Sequence, residues 1–213
     1  MEIVTTDDVA AAATAHIVDK LRHLTNLGQT ATIALSGGST PWVVFEQLAQ
    51  VDLPWEQVHI YQVDERVAPA GDPDRNLTNL RYTLLDHVPA VMHPFPVEEP
   101  DLEAAMQRYA EELPAVFDLV HLGMGGDGHT ASLVPGDASL DIDDADVAIT
   151  EEYKGHRRVT LTYPPIDRAA SILWIVTGDG KQEALRQLVA ADTSIPAGRV
   201  RSDRAVLLTN ITI

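Results

Sequence analysis

Short apolar runs alternate with stretches of helical periodicity along this chain, and that alternation constrains its fold more than any other feature. Residues 30–35, 58–63, 117–122, 172–176 and 205–208 read as strands. Several are apolar almost throughout, which suits parallel strands covered on both faces. Residues 7–24, 41–50, 77–87, 101–113 and 180–191 read as helices. The first follows Thr5, Thr6, Asp7 and Asp8, which are helix-start signals. The order predicts an α/β fold: a mainly parallel twisted sheet with helices on both faces, a Rossmann-like three-layer arrangement. No internal repeat or long linker interrupts it, and the acidic stretch from Asp137 to Asp146 reads as a solvated loop. One domain spanning residues 1–213 is the expectation, since 213 residues suit a single α/β core. Ligands in such sheets bind at the carboxyl ends of strands, so the residues just after each strand matter most.

Charge and composition remove several classes of function. The formal net charge of −17 disfavours binding to a nucleic-acid backbone or an anionic membrane. The chain has no cysteine, which excludes disulfides, thiolate catalysis and cysteine-based zinc sites. No basic-apolar leader opens it, and no apolar run approaches the ~20 residues of a membrane span. The expected location is cytoplasmic. Cations are scarce, with lysine only at positions 20, 154 and 181. A chain this acidic must gather its few cations locally to hold an anion. Arg66, Arg157, Arg158 and Lys181 all lie beside strand-like runs.

Two glycine-bearing segments follow predicted strands. Ser36-Gly37-Gly38-Ser39-Thr40-Pro41 links the first strand to a helix. Thr40 reads as its N-cap and Pro41 as its first residue. Exposed amides, the helix start and the Ser39 and Thr40 hydroxyls together suit a phosphate, although an ordinary capped turn has the same local pattern. The Gly-Lys-Ser/Thr ending of a P-loop is absent. Asp64-Glu65-Arg66 follows the second strand: Arg66 is placed to grip a phosphate, and Asp64 to contact a sugar hydroxyl or serve in acid/base chemistry. A solvated turn is the alternative. Asp74 to Asn79 is a polar run suited to cap the next helix or reach a ligand.

Residues 123 to 133 read Gly-Met-Gly-Gly-Asp-Gly-His-Thr-Ala-Ser-Leu. Gly123, Gly125 and Gly128 match the dinucleotide fingerprint, yet Pro135-Gly136 leaves no room for the long helix it needs. Asp127 and His129 stand two residues apart. A carboxylate beside an imidazole, on a backbone stripped of side chains, points to proton transfer. A metal pair would need a third ligand, and none stands out. No Gly-x-Ser-x-Gly elbow surrounds Ser36 or Ser39, so triad chemistry does not fit.

Five segments together resemble the 6-phosphogluconolactonases, a branch of the glucosamine-6-phosphate isomerase/deaminase superfamily. They are Leu35-Ser-Gly-Gly-Ser-Thr-Pro41, Val63-Asp-Glu-Arg66, Leu122 to Leu133, Arg158-Val-Thr-Leu161 and Gly178-x-x-Lys181, in the family's order. The resemblance implies a cofactor-free, metal-free esterase that opens 6-phospho-D-glucono-1,5-lactone to 6-phosphogluconate in the oxidative pentose phosphate pathway. It implies His129 as general base and Asp127 as its partner. Gly37, Gly38, Ser39, Thr40, Asp64, Arg66, Arg158 and Lys181 are the implied contacts to phosphate and sugar. The expected partner is thus a small sugar-phosphate lactone, and the expected state a monomer or small homo-oligomer. The alternatives are a glucosamine-6-phosphate deaminase or isomerase, and a non-catalytic sugar-phosphate sensor. The apolar-Ala-Phe-Asn-Glu-type segment usual in deaminases is missing. Thr78-Asn79 stands where the family often has Ser-Asn, and Asn210-Ile-Thr-Ile replaces its common Asp-x-x-Ala ending.

Overall fold

The computed structural model describes residues 1–212. Seven parallel strands form its centre, in the order β1, β10, β9, β6, β2, β3, β5. Their ranges are β1 Glu2–Thr5, β2 Ala31–Leu35, β3 Val58–Gln62, β5 Val91–His93, β6 Leu119–Leu122, β9 Ile172–Val176 and β10 Ala205–Thr209. The five predicted strands are all present, and each is the apolar run that sequence marked. The two edge strands, β1 and β5, add to that expectation. Each is short and partly exposed, so neither carries a continuous apolar run.

Helices cover both faces. On one side α1 (Val9–Asn26) and α2 (Ser39–Leu48) pack against the sheet. Val9, Ala13, Ile17, Leu21 and Leu24 recur every three or four residues and bury one stripe of α1. Asp8 caps that helix by accepting from the Ala11 amide at 2.9 Å. On the other side lie α4 (Leu102–Glu112) and α6 (Gln182–Val189), with a core around Trp174, Phe117 and Leu122. Two shorter helices complete the set. α3 (Asn76–Leu80) runs on into a π-helical turn, and α5 (Tyr163–Asp167) opens on a pair of prolines. No described helix is long and apolar enough to cross a membrane.

A second sheet was not foreseen. β4 (Asp64–Arg66), β8 (Arg158–Leu161) and β7 (Val147–Ile149) pair antiparallel in that order. Asp64 faces Thr160, and Arg66 faces Arg158, in the β4–β8 register. The charged Asp-Glu-Arg run is therefore a strand, not a solvated turn. Its polar residues hide a buried segment, because their partners come from elsewhere in the chain. The acidic loop is partly ordered as well: Asp137 caps a short 3-10 turn over Ala138–Asp141.

The chain order makes the centre of the main sheet special. From β2 it proceeds through β3 to β5 on one side, then returns to β6 on the other side of β2. Adjacent strands whose connections leave in opposite directions open a crevice beyond their carboxyl ends. The loops after β2 and β6 flank that crevice.

Candidate active site

A cleft of about 390 Å³ occupies this crevice. Gly37, Gly38, Ser39, Thr40, Asp64, Arg66, His129, Arg158 and Lys181 all line it, so nine of the ten sequence-derived candidates meet there. The tenth, Asp127, touches the cleft through His129. Arg157 does not join them: it is exposed, 3.9 Å from Glu103.

The loop after β6 is built to present one side chain pair. The Gly125 amide donates to the His129 carbonyl at 2.9 Å, closing a tight turn. A Cβ on Gly125 would lie 2.1 Å from His129 Nδ1 and 2.5 Å from Asp127 Oδ1. Glycine is thus the space the pair occupies. Gly128 adopts φ +79°, a conformation that a side chain resists, and its missing Cβ also avoids Ile195. Beyond the pair, Thr130 donates to the Gly123 carbonyl at 2.9 Å, and Ser132 reaches Asp64 Oδ2 at 2.7 Å. No long helix follows the third glycine; the chain turns between Thr130 and Leu133 instead, which sets this loop apart from a dinucleotide site.

Asp127 Oδ1 and His129 Nδ1 are 2.5 Å apart. Tyr153, which sequence reasoning missed, donates its hydroxyl to the other carboxylate oxygen at 2.8 Å. Partial burial alone would raise the Asp127 carboxyl, but hydrogen bonds from His129 and Tyr153 outweigh it and hold the group down to about 2. An ionised carboxylate only accepts hydrogen bonds, so the imidazole must carry its proton on Nδ1. That leaves Nε2 as the basic nitrogen of the ring.

The cations lie on the other wall. Arg66 and Arg158 stand directly opposite each other in the β4–β8 ladder. Like charges in that position repel, and neither buried Nε has a partner among the described residues. Arg66 is tethered by its Nη1 to the Asp74 carbonyl at 2.5 Å and to Asn76 Oδ1 at 3.1 Å. Burial, then the neighbouring Arg66 charge, lowers the Arg158 guanidinium, and burial lowers Lys181. An anion in the cleft would relieve all three.

Asp64 and Glu65 are neighbours with different work. Glu65 is wholly buried and accepts from the amides of Arg66, Asn76 and Leu77 and from Gln62 Nε2. It therefore caps α3 and joins β4 to it. Asp64 lines the cleft, with Oδ2 held by Ser132 and Oδ1 by Asn76 Nδ2 at 3.2 Å. Asn76 thus bridges Asp64 and Arg66, a role the polar run at 74–79 only hinted at.

The loop after β2 differs from expectation in one detail. α2 begins at Ser39 with Gly38 as its N-cap, not at Pro41 with Thr40 as the cap. Gly38 takes φ +135°, which frees the chain to start the helix two residues earlier. Thr40 instead pairs its hydroxyl with that of Thr177, at the end of β9, at 2.7 Å. The start of α2 still faces the cleft with its unpaired amides.

The chain has relatives of known type. A family described as glucosamine-6-phosphate isomerases/6-phosphogluconolactonase matches residues 4–209. The 6-phosphogluconolactonase of Synechocystis is 40% identical over 174 residues, covering 76% of this chain and 72% of the relative. That of Haemophilus influenzae is 34% identical over 211 residues, 90% of each chain. The crystal structure of 6-phosphogluconolactonase from Thermotoga maritima superposes with a TM-score of 0.89 at 28% identity, covering 98% of both chains. The sequence segments, the sheet and these relatives agree: the chain belongs to the glucosamine-6-phosphate isomerase/6-phosphogluconolactonase family, in its lactonase branch.

Proposed function

We propose that this chain hydrolyses 6-phospho-D-glucono-1,5-lactone to 6-phosphogluconate, with His129 as the general base. The observation that carries the reading is one cleft with two chemically distinct walls. One wall holds an imidazole oriented by a carboxylate. The other holds two facing guanidinium groups whose buried nitrogens lack partners.

The phosphate sits against Arg66, Arg158 and Lys181, with Ser39, Thr40 and the α2 start as further donors. That places the lactone ring toward His129. Nε2 takes a proton from water as the water oxygen attacks the lactone carbonyl. Asp127 holds the tautomer and stabilises the imidazolium that forms. The carbonyl oxygen gathers negative charge, which the cations along the cleft offset. The tetrahedral intermediate then collapses, the bond to the ring oxygen breaks, and that oxygen receives the proton from His129. Water is consumed and one acid is formed, with no redox change, so the reading requires no cofactor.

The test is an assay of the phosphorylated lactone with its spontaneous opening subtracted. Wild-type protein accelerates hydrolysis. His129→Ala lowers kcat by about two to four orders of magnitude, the usual contribution of a general base. Wild-type turnover in that variant removes His129 from the role. Ammonia release from glucosamine 6-phosphate would move the chain to the deaminase side of the family.

A further inference from the structure

We infer that Tyr153 is a positioning residue for the Asp127–His129 pair, delivered by a hairpin that is strained to put it there. The inference rests on the reading of His129 as general base. Its structural grounds are independent of the family, because they lie in a polar segment that no recognised motif covers.

Asp127 is the weak point of the pair. Its side chain is 41% exposed, so water competes for both carboxylate oxygens. One oxygen is engaged by His129 Nδ1; the second is engaged by the Tyr153 hydroxyl at 2.8 Å. With both oxygens held, the carboxylate plane is fixed and the imidazole is aimed. With only one held, the carboxylate is free to swing about its terminal torsion, which is broad for aspartate. The Tyr153 ring also meets the His129 ring edge-on, with centroids 5.4 Å apart and planes at 65°. The phenol oxygen is 3.4 Å from Nδ1, so it sits beside the Asp–His hydrogen bond itself.

The backbone around Tyr153 is costly to arrange. Tyr153 and His156 bracket a two-residue hairpin turn, with the Tyr153 amide donating to the His156 carbonyl at 2.9 Å. Both turn residues are left-handed: Lys154 at φ +53° and Gly155 at φ +84°. Tight hairpins of this type favour Asn-Gly or Gly-Gly. Here a lysine, whose Cβ resists the left-handed region, takes the first left-handed position. Lys154 lines the cleft, and its Nζ stands 4.9 Å from the Tyr153 ring centroid. On the same ring the Arg158 guanidinium stands 5.1 Å from the centroid. Two cations thus hold the ring by cation–π attraction. One of them, Arg158, belongs to the anion-binding wall, so the phenol is braced from the side where the phosphate is proposed to bind.

The role is to position, acting through Asp127, and a double-mutant cycle reads it directly. Steady-state kinetics of Tyr153→Phe, Asp127→Asn and the double variant use the full chain and the phosphorylated lactone, with spontaneous opening subtracted. Tyr153→Phe keeps the ring and removes only the hydroxyl. The expected result is a loss of about tenfold in kcat, with KM within about twofold and an unchanged melting temperature. In the Asp127→Asn background the same change costs less than about twofold, because the carboxylate it steadies is gone. Wild-type kcat in Tyr153→Phe overturns the inference, and so does a full tenfold loss persisting in the Asp127→Asn background. If the double variant is too slow to time, the Nδ1–H proton resonance of His129 decides. It shifts or broadens in Tyr153→Phe if the inference holds, and an unchanged resonance overturns it. His129→Ala separates the two readings. Wild-type turnover there defeats the base assignment and the Tyr153 role with it. Collapse there, with Tyr153→Phe unaffected, defeats the Tyr153 role alone.

Discussion

The loop after β2 and the loop after β6 both begin where a central strand ends, and both are rich in glycine, yet an added methyl group would meet different things in each. At Gly37 a Cβ would fall 2.1 Å from Asn76 Oδ1, the atom that tethers Arg66. At Gly125 it would fall on the imidazole of His129 itself. The first glycine makes room for the holder of a cation; the second makes room for the proposed base. Their supports differ too. The Ser36 amide rests on Nδ1 of His121, a buried ring on the neighbouring strand β6, at 3.2 Å. The Gly125 amide rests on its own loop, at the His129 carbonyl. The first loop rests on a neighbouring strand and is proposed to serve binding; the second closes on itself at this bond, is tied to the rest of the fold through Ser132–Asp64 and Tyr153–Asp127, and is proposed to serve chemistry.

Substitutions on each wall sharpen that contrast. Among changes outside the Asp127–His129 pair itself, Gly125→Ala is expected to cost the most, about a hundredfold in kcat with little change in KM, because the methyl group displaces His129 and Asp127 without touching the cations. Steady-state kinetics check it, and a loss confined to KM would merge the two walls. Arg158→Met comes next. It removes a proposed charged hydrogen-bond donor to the phosphate, worth about 1.5–3 kcal/mol, so KM is expected to rise by about 10- to 100-fold.

Acid separates the supports of the two loops. Burial pushes the His121 imidazole down to about 3, from an ordinary value of 6.5. Between those values the unfolded chain takes up a proton that the folded chain refuses. The stability that His121 allows is therefore full above pH 6.5 and falls as pH drops toward 3, by on the order of 1 kcal/mol per pH unit. Asp127 has the same sign in a lower window. Its carboxyl is held down to about 2, from 3.8, so its contribution stays complete above pH 3.8 and is lost only from there down to about 2. Urea unfolding at pH 7 and pH 5 is expected to show a clear drop in the wild type and a smaller one in His121→Asn. The smallest effect belongs to Thr40→Val, which breaks the hydroxyl pair with Thr177 at the cradle's edge. KM is expected to rise a few-fold, with kcat unchanged.

The main sheet was legible because parallel strands buried on both faces must be apolar runs, and five of them were. The cleft was legible because the glycines, Arg66, Lys181 and the Asp-x-His pair follow strands, and Arg158 opens one. What escaped depends on distant partners. β4 reads as three charges, Asp64-Glu65-Arg66, and becomes a strand only because Glu65 caps α3 and Asp64 meets Ser132. β7 lies against the acidic loop, in a run of only three residues. Tyr153 gives no local sign at all. It lies 24 positions from His129 in a polar hairpin, and only the fold brings its hydroxyl to Asp127. The helix start at Ser39 escaped because Thr40-Pro41 is the better local cap signal, while Gly38 can adopt a backbone angle that no pattern of side chains announces.

The division between a binding wall and a reacting wall is tested most directly by one pair of measurements: kcat and KM for His129→Ala beside Arg158→Met, with spontaneous lactone opening subtracted. The account predicts that His129→Ala loses kcat with KM within about threefold, while Arg158→Met raises KM and keeps most of kcat. Loss of kcat alone in both variants, or a rise in KM alone in both, would contradict it.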